Sequence, residues 1–74
     1  YAATAVKAMQ DWQVSEEAFN PNGGVIATGH ALEATGAMMM CSLLDELTYR
    51  NGKYGLITLS GGGGVGTAMI IEKL

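Results

Sequence analysis

Apolar residues Ala2, Ala5, Val6, Met9 and Trp12 recur at helical spacing, with Lys7, Gln10 and Asp11 between them. That spacing predicts an amphipathic helix over residues 2–12. The following SEEAF (residues 15–19) reads as one further turn, with Ser15 capping it and Glu16 and Glu17 at its positive end. A solvated first turn is enough to account for both carboxylates. Asn20-Pro21-Asn22-Gly23-Gly24 is turn chemistry: Pro21 fixes φ, and the residues after it tolerate positive φ. Val25–Thr28 then reads as a short buried strand. Gly29 and His30 open a helix running from Ala31 to Tyr49, with Gly36, Met40, Leu43, Leu44 and Leu47 along one apolar face. Its first half is apolar nearly all round, and a helix of that kind is buried on all sides. Asn51-Gly52 ends it with residues that accept a left-handed conformation. YGLITLS and TAMIIEKL read as strands joined by glycines. The predicted order is helix, strand, helix, strand, strand. This is an α/β unit with a buried central helix and a glycine-rich loop between the last two strands.

Composition changes this picture in one respect. The chain has 74 residues, of which 49% are hydrophobic and 15% charged. A body this small has a high surface-to-volume ratio and needs proportionally more polar surface, not less. Much of the apolar surface is therefore expected to meet something outside the chain. Disulfides or a structural metal are the usual supports of small scaffolds, but one Cys and one His supply neither. The net charge of −3 argues against nucleic acid, which calls for a basic stripe. The longest apolar run, ATGAMMMCSLL, is well short of the ~20 residues of a membrane helix. No signal segment is visible, and a lone Cys fits a reducing compartment, so the expected location is the cytoplasm or an organelle matrix. Tyr1 is not an initiator Met, which suggests that the chain begins inside something longer or was processed.

Five glycines stand among residues 61–66. The string Gly61-x-Gly63-x-x-Gly66 matches a dinucleotide fingerprint, but that motif needs a following helix, a second strand and a distant acidic residue. Only eight residues follow Gly66. A phosphate-binding loop needs Lys before Thr67, where Gly66 stands. A hairpin turn fits the context, yet needs one or two glycines. The excess points to close approach of the backbone to a ligand or another chain. His30 is the one side chain with an ordinary pKa near neutrality. At the start of the predicted helix the macrodipole disfavours its charged form, which suits a base as well as a structural histidine. Cys41 reads as a small buried hydrophobe.

Taken together, these segments resemble the C-terminal end of a thiolase. The family pattern is Asn-x-Asn-Gly-Gly, then Gly-His-Pro-x-Gly-Ala-Ser/Thr-Gly, then Tyr-Gly-Leu-x-Thr-Met/Leu-Cys-x-Gly-Gly-Gly-x-Gly. The chain supplies Asn20, Asn22, Gly23 and Gly24, then Gly29, His30, Ala34, Thr35, Gly36 and Ala37. It ends with Tyr54, Gly55, Leu56, Thr58, Leu59, Gly62, Gly63, Gly64 and Gly66. The resemblance implies cleavage of 3-ketoacyl-CoA by CoA, or the reverse Claisen condensation, with a coenzyme A thioester as substrate and no covalently bound cofactor. It implies that His30 activates a nucleophilic Cys and helps hold the thioester oxygen, and that Asn22, Gly62, Gly63, Gly64 and Gly66 shape the acyl site. The nucleophilic Cys belongs to a part of the family's fold that residues 1–74 lack. The implied partners are therefore the remainder of that fold, in the same or a separate chain, and acyl-CoA, within a homo-oligomer.

Three positions depart from the family. Ser60 stands where the family has its acid/base Cys, and Ala31 and Glu33 stand where it has Pro and Gly. A hydroxyl is a far weaker acid than a thiol of pKa ~8.5 and a poor proton shuttle near neutral pH. Glu33 also brings a carboxylate near the site. Two readings follow from these changes. One is a working acyltransferase with an altered acid/base position. The other is an inactive thiolase-like subunit that binds acyl-CoA or serves assembly. A third reading is an unrelated small domain whose glycines only form a turn.

Overall fold

Helix α1 spans Ala2–Trp12, the residues whose spacing predicts it. In the computed structural model all residues, Tyr1–Leu74, are described, and they form two units, Tyr1–Ala31 and Leu32–Leu74. In the first unit α1 ends in a left-handed residue, Gln13, at φ 54°. The Gln13 N–H donates to the Gln10 carbonyl at 3.4 Å and the Val14 N–H to the Met9 carbonyl at 3.3 Å. This pair of bonds satisfies two of the carbonyls a helix end leaves open. The next turn closes when the Ala18 and Phe19 N–H groups both donate to the Ser15 carbonyl at 3.1 Å. It is one turn, as the sequence suggests, and the Ser15 main chain closes it. The Trp12 and Phe19 rings lie 6.2 Å apart, tilted by 53°. That aromatic pair ties the turn back to the end of α1.

Val25–Thr28 is not a strand. Helix α2 covers Gly24–Thr28, and the Gly29 N–H closes it on the Val25 carbonyl at 2.8 Å. The β-branched run suggested a strand, but a strand needs a neighbour to take up its backbone hydrogen bonds. The first unit has no other strand, so this backbone pairs within itself. Gly23 and Gly24, at φ 89° and 58°, turn the chain into it.

In the second unit α3 runs from Thr35 to Arg50, four residues later at its start than the pattern predicts. Leu32–Ala34 form a turn instead. Its end matches the expectation from Asn51-Gly52. Asn51 is left-handed at φ 57°, its N–H donates to Thr48, and the Gly52 N–H donates to Leu47 at 2.8 Å. Strand β1 (Tyr54–Gly61) and strand β2 (Val65–Glu72) form a two-stranded antiparallel sheet, with Tyr54 opposite Glu72 and Ser60 opposite Gly66. Side chains alternate between its faces. Gly55, Ile57 and Leu59 are the more covered positions of β1, whereas Tyr54, Leu56, Thr58 and Ser60 are exposed. Leu43 of α3 lies against Gly55, so the covered face is the one that α3 packs on.

The expected buried central helix is not realised within these residues. Leu47 and Ile57 are the buried apolar side chains, at 7% and 5% exposure, and Thr35 is the buried polar one. Met38 and Leu44 of α3 stay exposed, as do Leu56 and Ile70 on the far face of the sheet. A two-stranded sheet covers one side of a helix, and α3 is apolar on more than one side. The architecture is thus mixed helix and strand, with two helices and a turn preceding α3, and no strand between them.

Gly55 is where α3 and β1 come closest. A Cβ built there would lie 2.6–2.8 Å from Leu43 side-chain atoms. Gly55→Val is expected to destabilise the protein carrying this chain by about 1–3 kcal/mol through overpacking. Denaturant midpoints of the two forms measure this. An unchanged midpoint would mean that Leu43 moves aside without cost.

Candidate functional site

Asn22 and His30 belong to the first unit, where they flank α2. Asn22 is exposed in the turn with Pro21. His30 is exposed and lies past the end of α2, separated from its last residue by Gly29. Gly29 has φ 85° and ψ 163°, a conformation largely reserved for glycine, and this sets the direction in which the chain leaves toward His30. The expectation that His30 opens the long helix is corrected here. Helix α3 begins five residues later, at Thr35. The macrodipole effect expected at His30 rested on that placement and goes with it. Glu33 likewise lies in the turn before α3, and the first turn of α3 carries no acidic residue.

Asn20 is the residue that the sequence reading undervalued. It takes a positive φ of 44° and its carbonyl accepts the Gly23 N–H at 2.9 Å. Its side chain occupies the space beside Gly24, where a built Cβ would stand 2.9 Å from Nδ2. Gly23 is similarly crowded, its built Cβ lying 2.7 Å from that of Ala27. Asn20 and the two glycines therefore lock the chain's entry into α2, and α2 carries it on to His30. The available signal was Asn itself, one of the few non-glycine residues that tolerate the left-handed region.

Ser60 and the glycines belong to the second unit, at the closed end of the β1–β2 hairpin. Ser60 is exposed on the face turned away from α3, opposite Gly66, which offers no side chain. Gly62–Gly64 make a short 3₁₀ turn between the strands, with Gly63 at φ 76° and Gly64 at φ 80°. These two need glycine for conformational reasons. The other three do not. A Cβ on Gly62 would meet nothing within 4 Å, and those on Gly61 and Gly66 would make ordinary contacts at 3.6 and 3.8 Å. Turn geometry thus accounts for two of the five glycines, and crowding inside the chain accounts for none.

Between Gly55 and Ile71 the hairpin contains no ionisable side chain. Its polar groups there are the Thr58, Ser60 and Thr67 hydroxyls and the backbone. Such an end offers main-chain N–H groups on an uncharged surface, donors suited to an oxygen that carries or gains negative charge. Cys41 is exposed on α3 rather than buried, because the hairpin covers only part of that helix. No group of three or more His, Cys, Asp or Glu side chains is placed to hold a metal ion. No helix is long and apolar enough to cross a membrane.

Comparison with known proteins adds to this geometry. The family model described as "Thiolase, C-terminal domain" matches residues 1–73. The chain is 39% identical to a 3-ketoacyl-CoA thiolase of Bacillus subtilis over 97% of its own length and 18% of that protein. It is 43% identical to an acetyl-CoA acetyltransferase of Syntrophomonas wolfei over 100% of its length and 19% of that protein. A steroid 3-ketoacyl-CoA thiolase of Mycobacterium tuberculosis is 53% identical over 74% of the chain and 14% of that protein. The chain therefore spans less than a fifth of the length of these curated relatives. No solved structure matches.

The two kinds of glycine respond differently to substitution. Gly63→Ala and Gly64→Ala are each expected to cost about 1–2 kcal/mol, the penalty for a side chain in the left-handed region. Gly62→Ala is expected to leave stability nearly unchanged. Denaturant midpoints of the three variants distinguish them. An equal loss at Gly62 would show that material outside this chain crowds that position.

Proposed function

The chain belongs to the thiolase family, as its C-terminal domain, and from that premise we propose that it forms part of the active site of a thiolase-type acyltransferase. The substrate class is the 3-ketoacyl-CoA thioester, cleaved by CoA, or the acyl-CoA pair of the reverse condensation. The remainder of the fold, in the same or another chain, brings the nucleophilic Cys. No bound cofactor is needed, since the thioester itself supplies the reactive carbonyl. The observation that carries the reading is the family match over residues 1–73, which takes in both His30 and the glycine-built hairpin end.

The roles follow from what each group can do. His30 takes the thiol proton as the Cys attacks the carbonyl carbon, and its ring N–H then faces the thioester oxygen. Carbon–carbon cleavage leaves an electron pair on the carbon next to the thioester, and that carbon must take a proton. Ser60 stands at the position that delivers it. The hairpin's main-chain N–H groups at Gly62–Gly64 offer hydrogen bonds to oxygen as it gains charge. Asn22 shapes the loop that leads to His30. On the hairpin itself no charged side chain competes for the hydrogen bonds that Gly62–Gly64 offer. The assembly is a homo-oligomer, located in the cytoplasm or an organelle matrix.

Ala31, Glu33 and Ser60 favour a second reading, an inactive subunit that binds acyl-CoA without turnover. Two variants of the assembled protein separate the two. His30→Ala is expected to lower kcat for acetoacetyl-CoA thiolysis by about 10²–10⁴-fold, the usual contribution of a positioned base. Ser60→Cys is expected to raise thiolysis by about 10²-fold or more, on the same scale. If the assembly binds acyl-CoA but neither parent nor Ser60→Cys turns it over, the acyltransferase reading is lost and the inactive subunit remains.

A further inference from the structure

We propose that Asn22 is a site of spontaneous self-modification: it closes on the Gly23 nitrogen to a cyclic imide, which water opens to aspartate or isoaspartate. The modification itself does not depend on the acyltransferase reading. The chain has three asparagines, each in a different setting. Asn20 precedes Pro21, whose nitrogen carries no hydrogen and cannot serve as the nucleophile. Asn22 and Asn51 each precede a glycine, whose bare Cα leaves its nitrogen open to the side chain. Both are exposed, so exposure does not separate them. The backbone does. Asn51 is the left-handed end of α3, at φ 57° and ψ 39°. Its N–H donates to the Thr48 carbonyl at 3.3 Å, and the Gly52 N–H to the Leu47 carbonyl at 2.8 Å. A Cβ built on Gly52 would stand 3.0 Å from Leu47 Cδ2, and Leu47 is a buried side chain. Swinging the Gly52 nitrogen toward the Asn51 side chain therefore undoes the helix end and disturbs the core. Asn22 lies in a turn that the Gly23 N–H closes on the Asn20 carbonyl at 2.9 Å. Opening that one bond releases the nucleophilic nitrogen. None of the buried side chains, Thr35, Leu47 and Ile57, belongs to its unit.

The chemistry needs water and nothing else. The Gly23 amide nitrogen gives up its proton and bonds to the side-chain carbonyl carbon of Asn22. The bond from that carbon to Nδ2 breaks, and the nitrogen leaves as ammonia with the proton. Water then adds to either carbonyl of the imide and breaks its bond to nitrogen. Opening at the side-chain carbonyl restores the ordinary main chain, with aspartate in place of asparagine. Opening at the main-chain carbonyl gives isoaspartate, in which the chain runs through the side-chain carbon and gains an atom. That atom falls where slack is least. Gly23 and Gly24 hold φ 89° and 58°. Built Cβ atoms on them would stand 2.7 Å from Ala27 Cβ and 2.9 Å from Asn20 Nδ2. Helix α2 follows at once, and His30 lies just beyond its end. Isoaspartate at position 22 thus shifts the entry into α2 and, in the acyltransferase reading, sets a working life for His30.

The test ages the assembled protein in mildly alkaline buffer and maps it at intervals. Trypsin cleavage after Arg50 places Asn22 and Asn51 on separate peptides, and fragmentation separates Asn22 from Asn20. An isoaspartyl-specific methyltransferase with a labelled methyl donor marks the rearranged product. Conversion at Asn22 is expected to run about 5–30-fold faster than at Asn51, the factor that one or two net hydrogen bonds supply. None is expected at Asn20. Asn22→Gln, whose longer side chain closes a larger ring far more slowly, is expected to remove the label from that peptide. Conversion at Asn51 as fast as at Asn22 would overturn the proposal. So would an Asn22 that stays an amide while a synthetic peptide of residues 18–26 converts. Acetoacetyl-CoA thiolysis on the same samples is expected to fall in step with the isoaspartate fraction. Constant thiolysis despite conversion would overturn the link to His30, and fresh protein without turnover would count against the acyltransferase reading alone.

Discussion

The packing of α3 on β1 is the interaction on which the second unit depends. It works because Gly55 lets the Leu43 side chain come up against the strand, closer than any residue with a Cβ would permit. Leu47 settles over Gly52, and Ile57 is buried between the elements. Everything else in the unit hangs on that line of contact. The helix end is fixed by Asn51 and Gly52, which start the strand at the height where Gly55 meets Leu43. The antiparallel register then carries the same alignment to the other end of the hairpin, where Ser60 faces Gly66. The position of the candidate hydroxyl is thus set by a glycine five residues before it, and by the face on which that glycine receives the helix.

What could be read from the residues divides along a physical line. Helix α1, both strands and the end of α3 were legible, because each is written in local terms: spacing, capping and turn chemistry. Val25–Thr28 was misread because β-branched residues state a preference for strand that only a neighbouring strand can satisfy. The start of α3 was misplaced because Ala31–Ala34 carry no N-cap signal, and apolar periodicity alone ran on through them. The resemblance to a thiolase was legible from three short motifs in order. The candidate residues were found by that route, while the geometry of Asn20 and the distinction between Gly62 and its neighbours were not. Both of those depend on which backbone conformations are occupied, and residue names do not specify that.

The same division separates the two apolar surfaces. The composition pointed to cover from outside the chain, and the exposed Met38, Leu44, Leu56 and Ile70 are where that cover is missing. The expectation of a buried helix failed for residues 1–74 for the reason that made it attractive. A helix apolar on several sides needs more than one partner layer, and this chain provides one. The hairpin end tells the complementary story. Gly61, Gly62 and Gly66, which neither strain nor crowding explains, lie at the same exposed end of the hairpin as the Ser60 hydroxyl, on an uncharged surface.

Strand β2 carries a consequence of a different kind. Its residues Val65–Ile71 are rich in β-branched and apolar side chains, carry no charge and include no proline. One of its edges pairs with β1, and in a two-stranded sheet the other has no strand beside it. An open edge of that composition is a template for pairing with further strands, including copies of itself. Natural sheets guard such edges with lysine, proline or a bulge, and here the nearest lysine, Lys73, comes only after the strand has ended. The protection of this segment from aggregation is therefore not encoded in the segment. Such protection has to come from an element outside the segment that pairs with or covers that edge.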